Sequence, residues 1–207
     1  HLRATCPIAE MDTADPLHPY AIIRETAALV PPDTIVTSDV GQHQMWVAQA
    51  YPFDRPRQWL TSGGLGTMGF GLPAAIGAAL AHPSRTVVCF TGDGSLLMNI
   101  HELATAVEEE VCVKIVLLNN GHLGMVRQQQ ELFYGDRRHA SRFRVEPDFV
   151  TIARGFGVTG VDLGGASDPR ATLRDALAAP GPVLVNVPID REANVYPMVP
   201  PGAANRE

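Results

Sequence analysis

The chain has 207 residues, 45% of them hydrophobic, enough for one globular domain around a substantial core. Its net charge of −6 counts against a nucleic-acid surface, and no apolar run approaches the roughly 18 residues a membrane helix needs. Three cysteines, Cys6, Cys89 and Cys112, are too few and too dispersed for a disulfide framework. With no signal-peptide pattern they suit a reducing, cytoplasmic compartment, and Cys89 and Cys112 read as inert core thiols in or beside strands.

Residues 1–14 show no periodicity and read as a linker remnant, and the opening on His1 rather than Met suggests an excised domain over 15–207. Asp15-Pro16 has the form of a helix start, a cap followed by proline. Ile22, Ile23, Thr26, Ala27 and Val30 give that helix one face, and Pro31-Pro32 stop it. A β-branched run over 34–38 predicts a strand ending at Asp39. Gly41 opens a helix to about Ala50, placing Gln42 and His43 at a strand-to-helix turn. A short strand near 58–60 leads into a glycine-rich loop. Residues 70–81 form a small-residue helix, suited to close packing on a sheet or on a partner subunit.

Residues 86–91 then read as a buried strand that ends on Gly92-Asp93-Gly94-Ser95. Leu96, Leu97, Ile100, Leu103, Ala104 and Val107 fall at helical spacing, and Glu108, Glu109 and Glu110 close the segment. A second buried strand over 113–118 ends on Asn119-Asn120. Strand, helix and strand make a right-handed parallel crossover, and the separation of 27 positions from Asp93 to Asn120 is about what one needs. Both polar residues therefore fall at the carboxyl ends of neighbouring strands, where open α/β sheets bind ligands.

Downstream, residues 122–133 predict a helix. The basic stretch 135–146 is either a solvated surface segment or a loop ordered by a partner. Pro147-Asp148 starts a helix to about 155, a strand follows over 158–161, Asp168-Pro169 caps a helix to 178, and 183–187 is the last strand. The alternation predicts an α/β domain: a doubly wound, mainly parallel sheet of about six strands with helices on both faces.

The chemistry at the centre follows from the residue types. Gly92 and Gly94 allow close approach of backbone to a ligand, and Ser95 precedes a helix whose free N–H groups attract anions. Asp93 and the side-chain oxygen of Asn120 are hard ligands that suit Mg²⁺ or Ca²⁺. Taken singly, an Asp-Gly turn and an Asn cap need no ligand; together at this spacing they suit a diphosphate and a divalent ion. Gly64-Leu65-Gly66-Thr67-Met68-Gly69 also satisfies G-x-G-x-x-G, so a dinucleotide-binding fold is the rival. Against it, residues 57–62 make a poor buried strand, and a ribose-binding acid does not need glycines on both sides of it.

Gly-Asp-Gly followed by Asn-Asn at this distance resembles the diphosphate-and-metal motif of thiamine diphosphate enzymes. The stretches Asp39-Val40-Gly41-Gln42-His43-Gln44-Met45-Trp46, Trp59-Leu60-Thr61-Ser62-Gly63-Gly64-Leu65-Gly66-Thr67-Met68-Gly69 and Val195-Tyr196-Pro197-Met198-Val199-Pro200-Pro201-Gly202 narrow the likeness. They resemble the carboxy-terminal domain of acetolactate synthase (acetohydroxyacid synthase) large subunits, most strongly the isozyme I type, over residues 19–207. This resemblance implies a thiamine diphosphate-binding fold and a carboligase for branched-chain amino-acid synthesis. Such an enzyme condenses two pyruvates to acetolactate, or pyruvate with 2-ketobutyrate. Pyruvate oxidase, glyoxylate carboligase and 2-keto acid decarboxylases share the central motif and remain alternatives.

By the same resemblance, Gly41, Gln42, His43, Gly92, Gly94 and Ser95 surround the diphosphate. Asp93, Asn120 and the main-chain carbonyl of His122 hold Mg²⁺. The Gly66 carbonyl accepts from the aminopyrimidine, Met68 supports the bent cofactor, and Met125 lies beside it. Met125 and Gln129 line the substrate pocket; many relatives have tryptophan at position 129, whereas the isozyme I type has glutamine. Gln44, Met45, Gly63 and Gly64 touch FAD, most of whose contacts come from a domain outside this chain. No catalytic acid or base is expected here, because the activating glutamate belongs to the amino-terminal domain of a neighbouring subunit. The isolated domain is therefore expected to be inactive. Its implied partners are small 2-keto acids, a second catalytic subunit and a regulatory small subunit.

Overall fold

Runs of aliphatic and β-branched residues become the inner strands, buried on both faces as a parallel sheet covered by helices requires, while the two edge strands stay partly exposed. In the computed structural model, which describes residues 13–200 and 202–203, the strands are β1 (Ile35–Ser38), β2 (Trp59–Thr61), β3 (Val87–Gly92), β4 (Val113–Asn119), β5 (Thr159–Asp162) and β6 (Val183–Pro188). They form one sheet in the order β2-β1-β3-β4-β6-β5, every pairing parallel. The expected six-stranded parallel α/β sheet is what forms. The expected linker lies outside the described residues except for Thr13 and Ala14, as does Cys6.

The helices are α1 (Pro19–Leu29), α2 (Gln42–Ala50), α3 (Gly71–Ala81), α4 (Asp93–Met98), α5 (Glu102–Glu108), α6 (Gly124–Phe133), α7 (Phe149–Gly155) and α8 (Pro169–Ala178). Alternate strand residues feed two cores. Val36, Val88, Phe90, Val116 and Val185 meet α1, α2 and α8 on one face. Ile35, Val87, Cys89, Ile115 and Leu184 meet α3, α5 and α7 on the other. Connections stepping one way across the sheet (β1 to β2, β5 to β6) use the first face, and those stepping the other way use the second. All crossovers therefore share one hand, as the twist of parallel strands demands.

The chain reverses its direction of travel between β1 and β3, which are hydrogen-bonded neighbours. Their carboxyl ends frame the crevice where such sheets bind ligands. Gly92 pairs with Leu118, so the chain beyond β3 and β4 brings Asp93 and Asn120 to the same edge.

Four local expectations change. The first helix begins at Pro19 rather than at Asp15, because His18 caps Tyr20 while Asp15 closes a separate turn onto Leu17. The single helix expected after Ser95 is two, α4 and α5, broken around Asn99, whose side-chain amide donates to the Gly69 carbonyl at 2.5 Å. Helix α6 starts two residues late, since His122 forms an antiparallel bridge with Arg142. Cys89 is buried as expected, but Cys112, beside β4 as expected, is exposed rather than part of the core. Among the described residues no helix is long and apolar enough to cross a membrane.

Candidate functional site

The ends of β1, β3 and β4 open onto a cleft of about 250 Å³. Of the residues anticipated above, Gly41, Gln42, His43, Gln44, Gly66, Met68, Gly92, Asp93, Gly94, Ser95, Asn120, His122 and Met125 line it. The others lie elsewhere. Gln129 borders an adjoining hollow of about 310 Å³ with Gln130, Tyr134 and Arg137, and Val126 is common to both. Met45 packs against the first core, while Gly63 and Gly64 are exposed.

Asp93 heads α4 and is 3% exposed. Its Oδ1 accepts the Gly94 amide at 2.7 Å, and its Oδ2 accepts those of Gly121 at 2.7 Å and His122 at 3.2 Å. Burial raises its pKa to about 6 against the pull of these amides, and no cationic side chain offsets it. The Gly94 amide is therefore engaged by Asp93 rather than free for a ligand. The Ser95 hydroxyl is engaged too, donating to the Val40 carbonyl at 2.8 Å.

His43 lies in the first turn of α2, 5% exposed, with Nε2 buried and without a hydrogen-bond partner. Burial lowers its pKa to about 4, with nearby Asp39 opposing, so the ring is neutral near pH 7. A Cβ at either Gly41 or Gly92 would lie 2.9 Å from the ring, which is why both turns carry glycine. Gly41 also has φ +148°, and no side chain caps the start of α2. On the facing wall, a Cβ at Gly94 would overlap Leu123 and come within 3.5 Å of Met68 Cε. At Gly66, where φ is +63°, the same atom would meet nothing closer than Val40 Cγ1 at 3.9 Å.

Two features have no separable signal in the sequence. Asp39, 1% exposed, accepts the amides of Val40, Gly69 and Gly71 at 2.8, 2.8 and 2.9 Å. It therefore ties the end of β1 to the glycine-rich loop that carries Gly66 and Met68; a lone acid at a strand end did not distinguish it. The basic stretch 135–146 is largely exposed but folds back onto the rim. Leu123 donates to the Ser141 carbonyl at 2.7 Å and Phe143 to that of Gly121 at 3.0 Å. A Cβ at Gly94 would stand 3.6 Å from Phe143 Cζ.

These residues fit an anionic cofactor held through a divalent cation. The cleft combines an orphaned imidazole nitrogen, glycines whose replacement would fill it, and two hard oxygen donors at one corner. Among the described residues no group of three His, Cys, Asp or Glu side chains could hold a metal. A carboxylate, a carboxamide oxygen and a main-chain carbonyl need no such group. A cation would also supply the counter-charge that buried Asp93 lacks.

A doubly wound sheet with this crevice at its switch point defines a cofactor-binding α/β domain. Residues 39–187 match the model of the thiamine pyrophosphate enzyme C-terminal TPP-binding domain, and the chain belongs to that family; thiamine pyrophosphate is thiamine diphosphate. Within it, the chain is 59% identical to the acetolactate synthase isozyme 1 large subunit of Escherichia coli (strain K12), over 98% of this chain and 36% of that one. It is 47% identical to the isozyme 2 large subunit of the same organism, over 93% and 35% of the two chains. With acetolactate synthase 1, chloroplastic, of Oryza sativa subsp. japonica it shares 44% identity over 97% and 32%. The chain thus spans about a third of the length of these relatives. Among solved structures it superimposes on a thiamine diphosphate-dependent 4-hydroxybenzoylformate decarboxylase from Rhodococcus jostii RHA1. The TM-score is 0.77 at 30% identity, covering 85% of this chain and 33% of that one.

Proposed function

We propose that this chain is the cofactor-anchoring part of an acetolactate synthase large subunit of the isozyme I type, acting in branched-chain amino-acid synthesis in the cytoplasm. The observation that carries it is the meeting of Asp93, Asn120 and the unpartnered Nε2 of His43 in one buried cleft. Identity of 59% to an acetolactate synthase, against 30% to the structurally similar decarboxylase, favours carboligation over simple decarboxylation.

Thiamine diphosphate supplies the electron sink that lets a 2-keto acid lose its carboxylate. The residues of this chain bind and orient it. Asp93, Asn120 and the His122 carbonyl hold Mg²⁺, and Gly41, Gln42, His43, Gly92, Gly94 and Ser95 surround the diphosphate. Gly66 and Met68, positioned through Asp39, fix the aminopyrimidine end. Met125 lies beside the cofactor, and Met125 and Gln129 face the incoming 2-keto acids. Gln44, Met45, Gly63 and Gly64 border FAD, whose remaining contacts come from elsewhere in the longer protein. A second catalytic subunit supplies the activating carboxylate, and a regulatory small subunit completes the assembly.

Calorimetric titration of thiamine diphosphate with Mg²⁺ into the 207-residue chain tests the reading. Asp93→Ala should abolish Mg²⁺-dependent binding while circular dichroism shows the fold retained. Asp93→Asn, which keeps an oxygen but loses the charge, should be intermediate. Unchanged affinity in both variants would remove the metal site. In the longer protein, pyruvate should yield acetolactate; release of acetaldehyde alone would favour a decarboxylase.

A further inference from the structure

Asn120 serves a cation only if its carboxamide oxygen, not its nitrogen, faces the cleft, and the two ends are almost the same size. A chain of buried hydrogen bonds settles which end does. The Val195 N–H donates to Gln128 Oε1 at 3.1 Å and the Val195 carbonyl accepts from Gln128 Nε2 at 2.8 Å, so Gln128 fits only one way round. Gln42 Nε2 then donates to Gln128 Oε1 at 2.8 Å and to the Ala193 carbonyl at 2.9 Å, which engages both of its hydrogens. Gln42 must therefore present Oε1 to Asn120, whose Nδ2 donates to it at 3.2 Å. Asn120 Oδ1 is left at the other end, accepting the His122 N–H at 3.1 Å with a second lone pair over. A reversed Asn120 would set oxygen against oxygen at Gln42 and N–H against N–H at His122. Exposures of 0% at Gln128, 3% at Gln42 and 6% at Asn120 leave little water to repair such a mismatch.

Gln128 is not among the residues lining the cleft, so it touches neither cofactor nor cation directly. We propose that Gln128 is a positioning residue that, through Gln42, holds the Asn120 carboxamide with its oxygen toward the cleft, as a divalent-cation ligand. The inference rests on the metal reading above. It also makes the seating of residues 193–195 and the readiness of the metal site a single event, since the backbone of Val195 is the reference that orients the chain of amides.

The test is a double-mutant cycle in the 207-residue chain, reading Mg²⁺ affinity by calorimetry in the presence of thiamine diphosphate. Gln128→Met keeps the volume and removes both hydrogen-bonding ends; it should weaken Mg²⁺ binding about tenfold or more, as loss of outer-sphere partners does. In an Asn120→Asp background both ends of the side chain are oxygen, orientation ceases to matter, and Gln128→Met should cost nothing. A merely structural role predicts the same loss in both backgrounds, and that result would overturn the proposal. Should Gln128→Met fail to fold, Gln42→Met breaks the same chain of amides and should weaken Mg²⁺ binding in the Asn120 background but not beside Asn120→Asp; an equal loss in both would count equally against it. Nuclear magnetic resonance of the Asn120 side-chain NH₂ supplies a readout without metal. Its protection from exchange should disappear in Gln128→Met, and an unaltered signal would refute the coupling. If wild-type chain binds no Mg²⁺ while that signal still depends on Gln128, the metal reading fails and the orienting role stands.

Discussion

Gly92 and His43 occupy a space that neither can enlarge: a Cβ on Gly92 would stand 2.9 Å from Nδ1 of the imidazole and 3.1 Å from its Cε1. The glycine ends β3, the histidine lies in the first turn of α2, and their contact sets where Nε2 points. Gly92→Ala must push the ring toward the cleft or strain the turn, at roughly 1–3 kcal/mol of overpacking. We expect the midpoint of thermal unfolding to fall by roughly 2–10 °C, with a larger proportional loss of thiamine diphosphate affinity. A variant with unaltered affinity would show that the position of His43 is immaterial to binding.

The pH dependence of the cation-free chain should hide two opposed terms. Burial takes His43 from 6.5 to about 4, so the unfolded chain binds a proton that the folded one refuses, and stability is lost as pH falls from 6.5 toward 4. Burial takes Asp93 from 3.8 to about 6, so here the folded chain keeps the extra proton, and stability is lost as pH rises from 3.8 through 6. At roughly 1.4 kcal/mol per pKa unit, each amounts to on the order of 3 kcal/mol, and the slopes nearly cancel. Asp93→Asn should unmask the first, making urea stability fall toward acid, and His43→Gln should unmask the second, making it rise. Superimposable pH profiles for the three proteins would contradict this.

Arg127 is fully buried on α6, with Nη1 2.8 Å from Glu131 and Nη2 bonded to the Ala193 carbonyl at 2.6 Å and to Asn194 at 2.8 Å. Removing Glu131 leaves the buried charge only the more distant and more exposed Glu192, 3.6 Å from Nη1, whereas removing the arginine leaves an acid that water still reaches. Glu131→Leu should cost about 3 kcal/mol, Arg127→Met less, and the double variant less than their sum. Strict additivity in denaturant unfolding would show that the pair does not interact.

Turnover should require more of the protein than this chain. No residue lining the cleft replaces the carboxylate expected from a neighbouring subunit. The purified 207-residue chain should therefore form no acetolactate from pyruvate with thiamine diphosphate, Mg²⁺ and FAD present. Measurable product would place the whole catalytic apparatus here.

Gln129 borders the hollow next to the cleft rather than the cleft itself, with room beside it for a larger ring. 2-Ketobutyrate exceeds pyruvate by one methylene, worth roughly 1–3 kcal/mol in an apolar pocket, but a glutamine amide must be desolvated to receive it. In the longer protein, Gln129→Trp should raise the ratio of acetohydroxybutyrate to acetolactate when both acids compete. An active variant with the same ratio would separate this residue from acceptor choice.

What the sequence determined by itself was whatever a local pattern encodes. Doubly buried strands announce themselves as apolar runs such as 87–90, and Asp93 and Asn120 stand out because one crossover unit separates them. The glycines beside them are legible because a turn in that position can mean close approach to a ligand. Tertiary structure alone decided the break between α4 and α5, which depends on Asn99 reaching the Gly69 carbonyl 30 positions away. It decided that Asp39 anchors the glycine-rich loop, and that residues 135–146, largely exposed as a surface segment, are tied to the rim through Ser141 and Phe143. It also decided which way Asn120 faces, through partners 78, 86 and 67 positions apart at successive links. Hydrophobic periodicity reports which face of a segment is buried. The partner of a buried polar group is chosen only when distant segments pack and water can no longer satisfy it.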